Sequence, residues 1–115
     1  MVAAYYGKTG CVRILAQKEA KMQDELNNTA LMYAAGEGHL ECVKVLVPME
    51  ERMQNNAGWA ALMCAASTGK PECVEFLLGF EAGMQKNDRM TALMLAAING
   101  KAECVRLLRD TEGGI

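Results

Sequence analysis

A period of 31 residues constrains the fold of this chain more than any other feature of its sequence. Residues 53–83 and 84–114 are identical at 16 of 31 aligned positions. The residues that recur at this step are Gly7, Gly38, Gly69 and Gly100; Cys11, Cys42, Cys73 and Cys104; Leu15, Leu46, Leu77 and Leu108; and the alanine pairs at 3–4, 34–35, 65–66 and 96–97. Such a step is the signature of a repeat protein, in which each unit packs only on its neighbours.

The repeats divide the chain into four units of one domain, residues 1–115. The units are residues 1–21 (partial), 22–52, 53–83 and 84–115. No unit of this length can bury its apolar surface alone, and about three stacked units are needed for a stable core. The sequence therefore predicts a single solenoid domain.

Composition and charge narrow the functional classes. The 115 residues are 51% hydrophobic and 23% charged, as in an ordinary globular domain. A formal net charge of −2 gives no electrostatic reason to expect nucleic acid or an anionic membrane as partner. The chain begins with no basic segment followed by an apolar one, and it contains five cysteines. We therefore expect free thiols and a cytoplasmic location, with no membrane contact.

The sequence predicts two short helices in each unit. In the last unit Thr91 is a favoured N-cap, because its hydroxyl can accept a hydrogen bond from the first helical turn. An apolar stripe follows up to Gly100, and a second stripe containing Cys104 and Leu108 comes after it. Apolar residues at spacings of three and four make one helical face. The pattern predicts an all-α protein.

The motifs of these helices resemble those of a known family. Thr-Ala-Leu-Met-Leu-Ala-Ala-x-x-Gly, from Thr91 to Gly100, resembles the T-P-L-H-x-A-A-x-x-G-H motif of ankyrin repeats. The Ala-Leu-Met and Met-Gln variant is similar to ankyrin arrays of diplomonad protists. The resemblance implies an ankyrin-type solenoid of four stacked helix–turn–helix units. Since the family's usual unit has 33 residues, it also implies short inter-repeat turns in place of long β-hairpins.

A glutamate recurs where the family often has glycine after the second helix. The four residues are Glu19, Glu50, Glu81 and Glu112. Two interpretations are open. The carboxylates could form an acidic stripe for a basic partner, or each could accept hydrogen bonds from backbone N–H groups at the shortened turn. The second interpretation is favoured.

The sequence offers no catalytic or metal-binding constellation. Stacked helices lie about 8–10 Å apart, beyond the roughly 7 Å Cα separation of a disulfide, so the cysteine ladder is interpreted as buried core. The methionine ladder of Met32, Met63 and Met94 is interpreted as core as well. His39, the single histidine, has no repeated acid or nucleophile beside it. We expect no enzyme activity, no cofactor and no metal.

Function is expected at positions where the repeats differ. The resemblance implies that another protein binds the concave face, which the turns and first helices line. Trp59 is expected to be exposed and central, because tryptophan is a common interface anchor. The candidate partner-binding residues are Tyr5, Tyr6, Leu26, Asn28, Glu37, Trp59, Ser67, Thr68, Arg89, Met90, Ile98 and Asn99.

The two terminal units differ from the others. Met1 aligns with Met32, so the first unit lacks a cap, and weak self-association through it is expected. The position of Val47 and Leu78 becomes Arg109 in the last unit, which predicts an exposed arginine on a capping repeat. Two alternatives to an independent binding module remain open. They are a regulatory segment of a larger enzyme, such as a kinase fusion, and a designed or consensus-derived scaffold without a natural partner.

Overall fold

The computed structural model describes residue 26 and residues 28–112, without the side chains of residues 49 and 110–112. Over this part of the chain there are six helices: α1 (Ala30–Glu37), α2 (Leu40–Glu50), α3 (Ala61–Thr68), α4 (Pro71–Glu81), α5 (Ala92–Ile98) and α6 (Ala102–Glu112). The only β contact among these residues is an isolated antiparallel bridge between Gln85 and Thr91. The predicted all-α solenoid class is confirmed.

Two of the three short first helices, α1 and α5, begin at threonine caps, as the sequence predicts for Thr91. The hydroxyls of Thr29 and Thr91 accept the backbone N–H groups of Met32 and Met94, each at 3.3 Å. At the equivalent position Ala60 makes no side-chain cap. Helices α1 and α3 end at Gly38 and Gly69, whose φ angles are 78° and 77°. This left-handed conformation is the common C-terminal stop of a helix, and it favours glycine.

The longer second helices, α2, α4 and α6, pack against the first helix of the same unit, and each first helix packs against the next one. The leucine ladder lies between the layers, where Leu46, Leu77 and Leu108 have no exposed surface. Burying a leucine side chain contributes roughly 1.5–3 kcal/mol, so these repeated positions supply much of the core.

Small residues let neighbouring first helices approach closely. Ala34, Ala35 and Ala65 are fully buried. A Cβ built on Gly36 would lie 3.8 Å from the Cβ of Cys64 on the next first helix. The alanine pairs that mark the period in the sequence are therefore the surface on which the units stack.

The cysteine ladder is core, as predicted, at its described positions. Cys42, Cys73 and Cys104 are buried free thiols, and Cys64 is a partly buried free thiol. Cys11 lies outside the described residues.

The methionine ladder follows the prediction only in part. Met32 and Met63 are 4% and 1% exposed, but Met94 is 48% exposed, so its assignment to the core is wrong. Met32 and Met63 are on α1 and α3, each of which packs against the first helix of a following unit, and Met94 is on α5, the last first helix of the described residues. Arg109 is exposed, as predicted for the last unit.

Candidate partner-binding surface

Two short hairpins join successive units and share one conformation. In hairpin A (residues 54–60) the N–H of Asn55 donates to the carbonyl of Trp59 at 3.0 Å. In hairpin B (residues 85–91) the N–H of Lys86 donates to the carbonyl of Met90 at 3.0 Å. Each turn contains one residue with positive φ. It is Gly58 in hairpin A, at 87°, and Arg89 in hairpin B, at 69°. The shortened turn predicted from the 31-residue period is therefore a tight hairpin.

Side-chain and backbone hydrogen bonds join the two hairpins into a row. The backbone N–H of Asn87 donates to the carbonyl of Ala57 at 3.0 Å. The side-chain amide of Asn87 donates to the carbonyl of Asn56 at 2.8 Å. The amide of Gln54 donates to the carbonyl of Gln85 at 2.9 Å. The hairpins thus form a continuous surface rather than independent loops.

The row extends to the turn before α1. The side-chain amide of Asn55 donates to the Oδ1 atom of Asn28 at 2.8 Å. The backbone N–H of Asn56 donates to the carbonyl of Leu26 at 3.0 Å. Leu26 and Asn28, which were predicted as partner-binding residues, are therefore held beside hairpin A.

Two residues of the repeated glutamate position, Glu50 and Glu81, are buried and accept hydrogen bonds from the backbone near these turns. In one carboxylate, Oε1 of Glu81 accepts the N–H of Leu62 and Oε2 accepts the N–H of Arg52, both at 2.8 Å. Oε1 of Glu50 accepts the N–H of Leu31 at 2.9 Å. Glu50 and Glu81 are 1% and 0% exposed. At these two positions the acidic-stripe interpretation is wrong, since the carboxylates are buried and bind backbone. Glu19 and the side chain of Glu112 lie outside the described residues.

The pKa of the Glu81 carboxyl is also perturbed. Burial raises its pKa above the ordinary value of 4.5, although the N–H groups of Leu62 and Arg52 and the Arg52 charge oppose the shift. The N-terminus of a helix favours a nearby negative charge. The residue is therefore structural, and its charge is unavailable to a partner.

Trp59 is not the exposed anchor that the sequence predicts. The indole is half-buried and packs against the core cluster. The Lys86 ammonium lies 5.8 Å from the ring centroid, within cation–π range. The same ammonium is 2.6 Å from the Asp88 carboxylate. Trp59 thus joins hairpin A to hairpin B and presents only part of its surface outward.

Arg89 and Leu26 are large exposed side chains of the hairpin row. Leu26 is 63% exposed. Arg89 is exposed and has a φ of 69°, a conformation that costs a non-glycine residue free energy. The backbone N–H of Arg89 donates to the backbone carbonyl of Lys86 at 2.8 Å. Its guanidinium makes no ion pair with any described residue. Met90 beside it is half-buried.

The predicted positions on the first helices form a second row. The side-chain amide of Asn99 donates to the hydroxyl of Ser67 at 2.9 Å, so these residues of adjacent units touch. Thr68 and Glu37 are exposed on the same helical ends. Tyr5 and Tyr6 lie outside the described residues.

Ile98 is exposed, and its equivalents in the two preceding units, Gly36 and Ser67, lie against the unit that follows each of them. Ile98 itself is 70% exposed. Gly36 holds the same place in its own unit, and it lies against Cys64 of the next first helix. At Ser67, the equivalent position on α3, the hydroxyl accepts a hydrogen bond from Asn99 of the following unit.

The structure has a groove on the second helices that the sequence did not predict. It encloses about 480 Å³ and is lined by Leu40, Lys44, Glu72, Glu75, Phe76 and Gly79. The rings of Phe76 and Phe80 are 5.4 Å apart, and Phe80 is 38% exposed. The signal available in the sequence was two aromatic residues four apart on one helix, where the other units have aliphatic or polar residues.

The described residues contain little reactive chemistry. Burial raises the pKa of Cys64 to about 12 and that of Cys73 to about 11, which suppresses the thiolates. Within the described ranges no three His, Cys, Asp or Glu residues gather closely enough to hold a metal ion. None of the helices described here is both long and apolar enough to cross a membrane.

Comparison with known proteins agrees with the architecture. Residues 1–88 and 69–114 each match the profile of the family described as Ankyrin repeats (3 copies). A comparison with curated proteins finds none that matches the chain.

Proposed function

The chain belongs to the ankyrin-repeat family, and on that premise we propose that it binds a partner protein through the surface made by its hairpins and first helices. Ankyrin repeats are in general protein–protein interaction modules. The proposed surface, which we call the hairpin surface, comprises Leu26, Asn28, Trp59, Arg89 and Met90 of the hairpin row, with Glu37, Ser67, Thr68 and Asn99 of the first-helix row. We propose a binding function without catalysis.

Arg89 is the observation that carries the proposal. Gly58 occupies the same position in the preceding unit, so the repeat can form this turn without an arginine. The left-handed conformation costs about 1–2 kcal/mol for a side chain with a Cβ, and no described ion pair compensates for it. A residue that weakens the fold and exposes a free guanidinium is best explained by what it contacts outside the chain.

Leu26 supports the same surface independently. Its equivalents in the next two hairpins are Ala57 and Asp88, so stacking requires no apolar residue there. A 63% exposed leucine gains little from folding and adds apolar area to the hairpin row. Together with Arg89, which lies two turns further along the row, it suits a partner segment that carries an apolar side chain at one end and an acidic side chain at the other.

Affinity capture with matched variants tests this function. Bait proteins would be the wild type, Arg89→Gly and Arg106→Ala. Arg106 is the control because it is equally charged, lies on the second helix α6 and pairs with Glu103 at 3.1 Å. Proteins retained by the wild type and by Arg106→Ala, but weakened about tenfold or more with Arg89→Gly, support the hairpin surface.

The opposite pattern overturns it. A partner that is retained equally by Arg89→Gly but lost by Arg106→Ala would place binding on the second helices. In that case the groove beside Phe76 and Phe80 would replace the hairpin surface as the site.

A further inference from the structure

The groove between α2 and α4 has one wall, on α4, where the residues depart from those of the other second helices. We call it the α4 groove and define it by its lining residues, Leu40, Lys44, Glu72, Glu75, Phe76 and Gly79. Helix α2 packs less closely on α4 than α4 packs on α6, which leaves this space open. None of the six residues belongs to the hairpin surface, so the α4 groove is a separate surface of the molecule.

The α4 wall carries two acids where α2 and α6 carry an ion pair. On those two helices a glutamate of the first turn pairs with a cation three residues later: Glu41 with Lys44 at 3.8 Å, and Glu103 with Arg106 at 3.1 Å. The same two positions of α4 hold Glu72 and Glu75, which are exposed and make no ion pair with a described residue. Like charges at neighbouring helical positions weaken a helix. The second acid therefore does not serve the fold, and it gives the groove a negative end.

Gly79 is a second departure on the same wall. It lies inside α4 with no positive φ that would require glycine, although glycine weakens a helix relative to alanine. The equivalent residues are Pro48 and Asp110. A Cβ built on Gly79 would meet no described atom within 4 Å. The described chain thus gives no reason for the missing side chain, whereas close approach of a ligand to the backbone does.

Two aromatic rings make the remaining part of the wall apolar. Phe76 takes the position of Val45 and Leu107, so the stack does not require an aromatic residue there. Its ring lies 5.4 Å from that of Phe80, which is 38% exposed. The Arg52 guanidinium lies at this end and donates to the carbonyl of Phe80 at 3.1 Å. The groove therefore has an acidic end near the start of α4 and an apolar end near its finish.

We propose that the α4 groove binds a segment of a second partner protein in which a lysine or arginine accompanies a large apolar side chain. The basic side chain pairs with Glu72 and Glu75, because the cation of the opposite wall, Lys44, is already paired with a glutamate of its own helix. The apolar side chain lies over Gly79 and against Phe80. Four residues separate Glu75 from Gly79, so the two side chains of the partner are about 6 Å apart along the helix. This inference goes beyond the proposed function, since the two partners contact different residues.

Selection from a random peptide library tests the chemistry of this partner. Linear peptides displayed on phage would be selected on the wild type, after removal of those that bind Glu75→Lys. The peptides that remain should combine lysine or arginine with leucine, isoleucine, phenylalanine or tryptophan. For labelled synthetic copies, fluorescence anisotropy should show a Kd raised about tenfold or more by Glu75→Lys and by Phe80→Thr.

Stability measurements separate lost binding from lost folding. Glu75→Lys restores the residue type of α2 and α6, and Gly79→Ala adds a methyl group in open space. Both variants should therefore melt in urea at or above the wild-type midpoint. Gly79→Ala should nevertheless weaken peptide binding, because its methyl group occupies the place of the apolar side chain. Weaker binding in a variant of higher stability is a result that a purely structural role of Gly79 does not produce.

Two controls identify the surface that the peptides occupy. Glu103→Lys makes the same change in net charge on α6, outside the groove, and should alter the Kd no more than about twofold. Arg89→Gly changes the hairpin surface and should leave the Kd unchanged. An empty selection, selected peptides without basic residues, or a Kd raised equally by Glu103→Lys would each overturn the proposal. Peptides weakened by Arg89→Gly but not by Phe80→Thr would also overturn it, while supporting the hairpin surface.

Discussion

The carboxylate of Glu81 accepts the backbone N–H of Leu62 at 2.8 Å across 19 residues of sequence. Glu50 and Leu31 make the same contact at 2.9 Å, one repeat earlier. A glutamate at the end of each of these second helices therefore caps the first helix of its own unit. In Glu81 the other oxygen accepts the N–H of Arg52, which lies in the linker from the preceding unit. One carboxylate thus holds two segments of a shortened turn.

Replacing Glu81 with glutamine should destabilise the fold even though the volume hardly changes. An amide offers one acceptor where two N–H groups, from Leu62 and Arg52, need one each. A buried N–H left without an acceptor costs about 1–3 kcal/mol. Urea melts should show that loss for Glu81→Gln and almost none for Glu75→Gln, whose side chain is exposed on the same helix. Equal stability of the two variants would contradict the bracing role.

The difference in unfolding stability between the wild type and Glu81→Gln should also depend on pH. Burial raises the pKa of Glu81 in the folded state above 4.5, so the folded protein binds this proton more tightly than the unfolded chain does. The resulting stabilisation is fully present below pH 4.5 and is lost as pH rises through the raised value. The stability margin of the wild type over Glu81→Gln should therefore narrow between acidic and neutral pH. A margin that widens over this range would show that the pKa is lowered.

Gly58 and Arg89 should respond in opposite directions to substitution, although they hold the same position in successive hairpins. A Cβ on Gly58 would lie 2.6 Å from the backbone nitrogen of Asn87, and the φ of 87° adds strain. Gly58→Ala should cost about 2–4 kcal/mol. Arg89→Gly relieves the left-handed strain and should gain about 0.5–1 kcal/mol. Denaturant melts that show a loss for both variants would refute this account of the turn.

The thiols should be inert in the folded protein. Cys64 is partly accessible, yet burial and the charge of Glu81 raise its pKa to about 12, and burial raises that of Cys73 to about 11. Since the thiolate is the reactive form, alkylation at mildly alkaline pH should be slow at both residues until denaturant is added. Mass spectrometry of peptides resolves each site. Rapid native labelling of Cys64 would show that the helix around it opens readily.

The repeat made the fold predictable, because a residue that recurs at every step must serve the stacking that all units share. The leucine ladder and the buried alanine pairs follow from that logic. Positions at the end of the stack do not, since periodicity implies an identical environment for each copy. Met94 therefore looked like core in the sequence and is half exposed in the structure.

The sequence predicted the binding surface less well than the fold, because residues that occur in only one unit carry no periodic signal. Trp59 has no counterpart in other units, which indicated that the fold does not require it. Its ring nevertheless packs against the core and under Lys86, because a single large side chain can fill space between two hairpins. The strain at Arg89 was also invisible, since φ angles become known only with the structure.

Hydrogen exchange of the chain with and without a captured partner tests the central claim most directly. The account predicts slower exchange in residues 54–60 and 85–91 and at the ends of α1 and α3, with α4 and α6 unchanged. Arg89→Gly should weaken this protection while leaving exchange in the free protein unchanged or slower. Protection confined to α4 and the groove beside Phe76, with no change in either hairpin, would contradict binding through the hairpin surface.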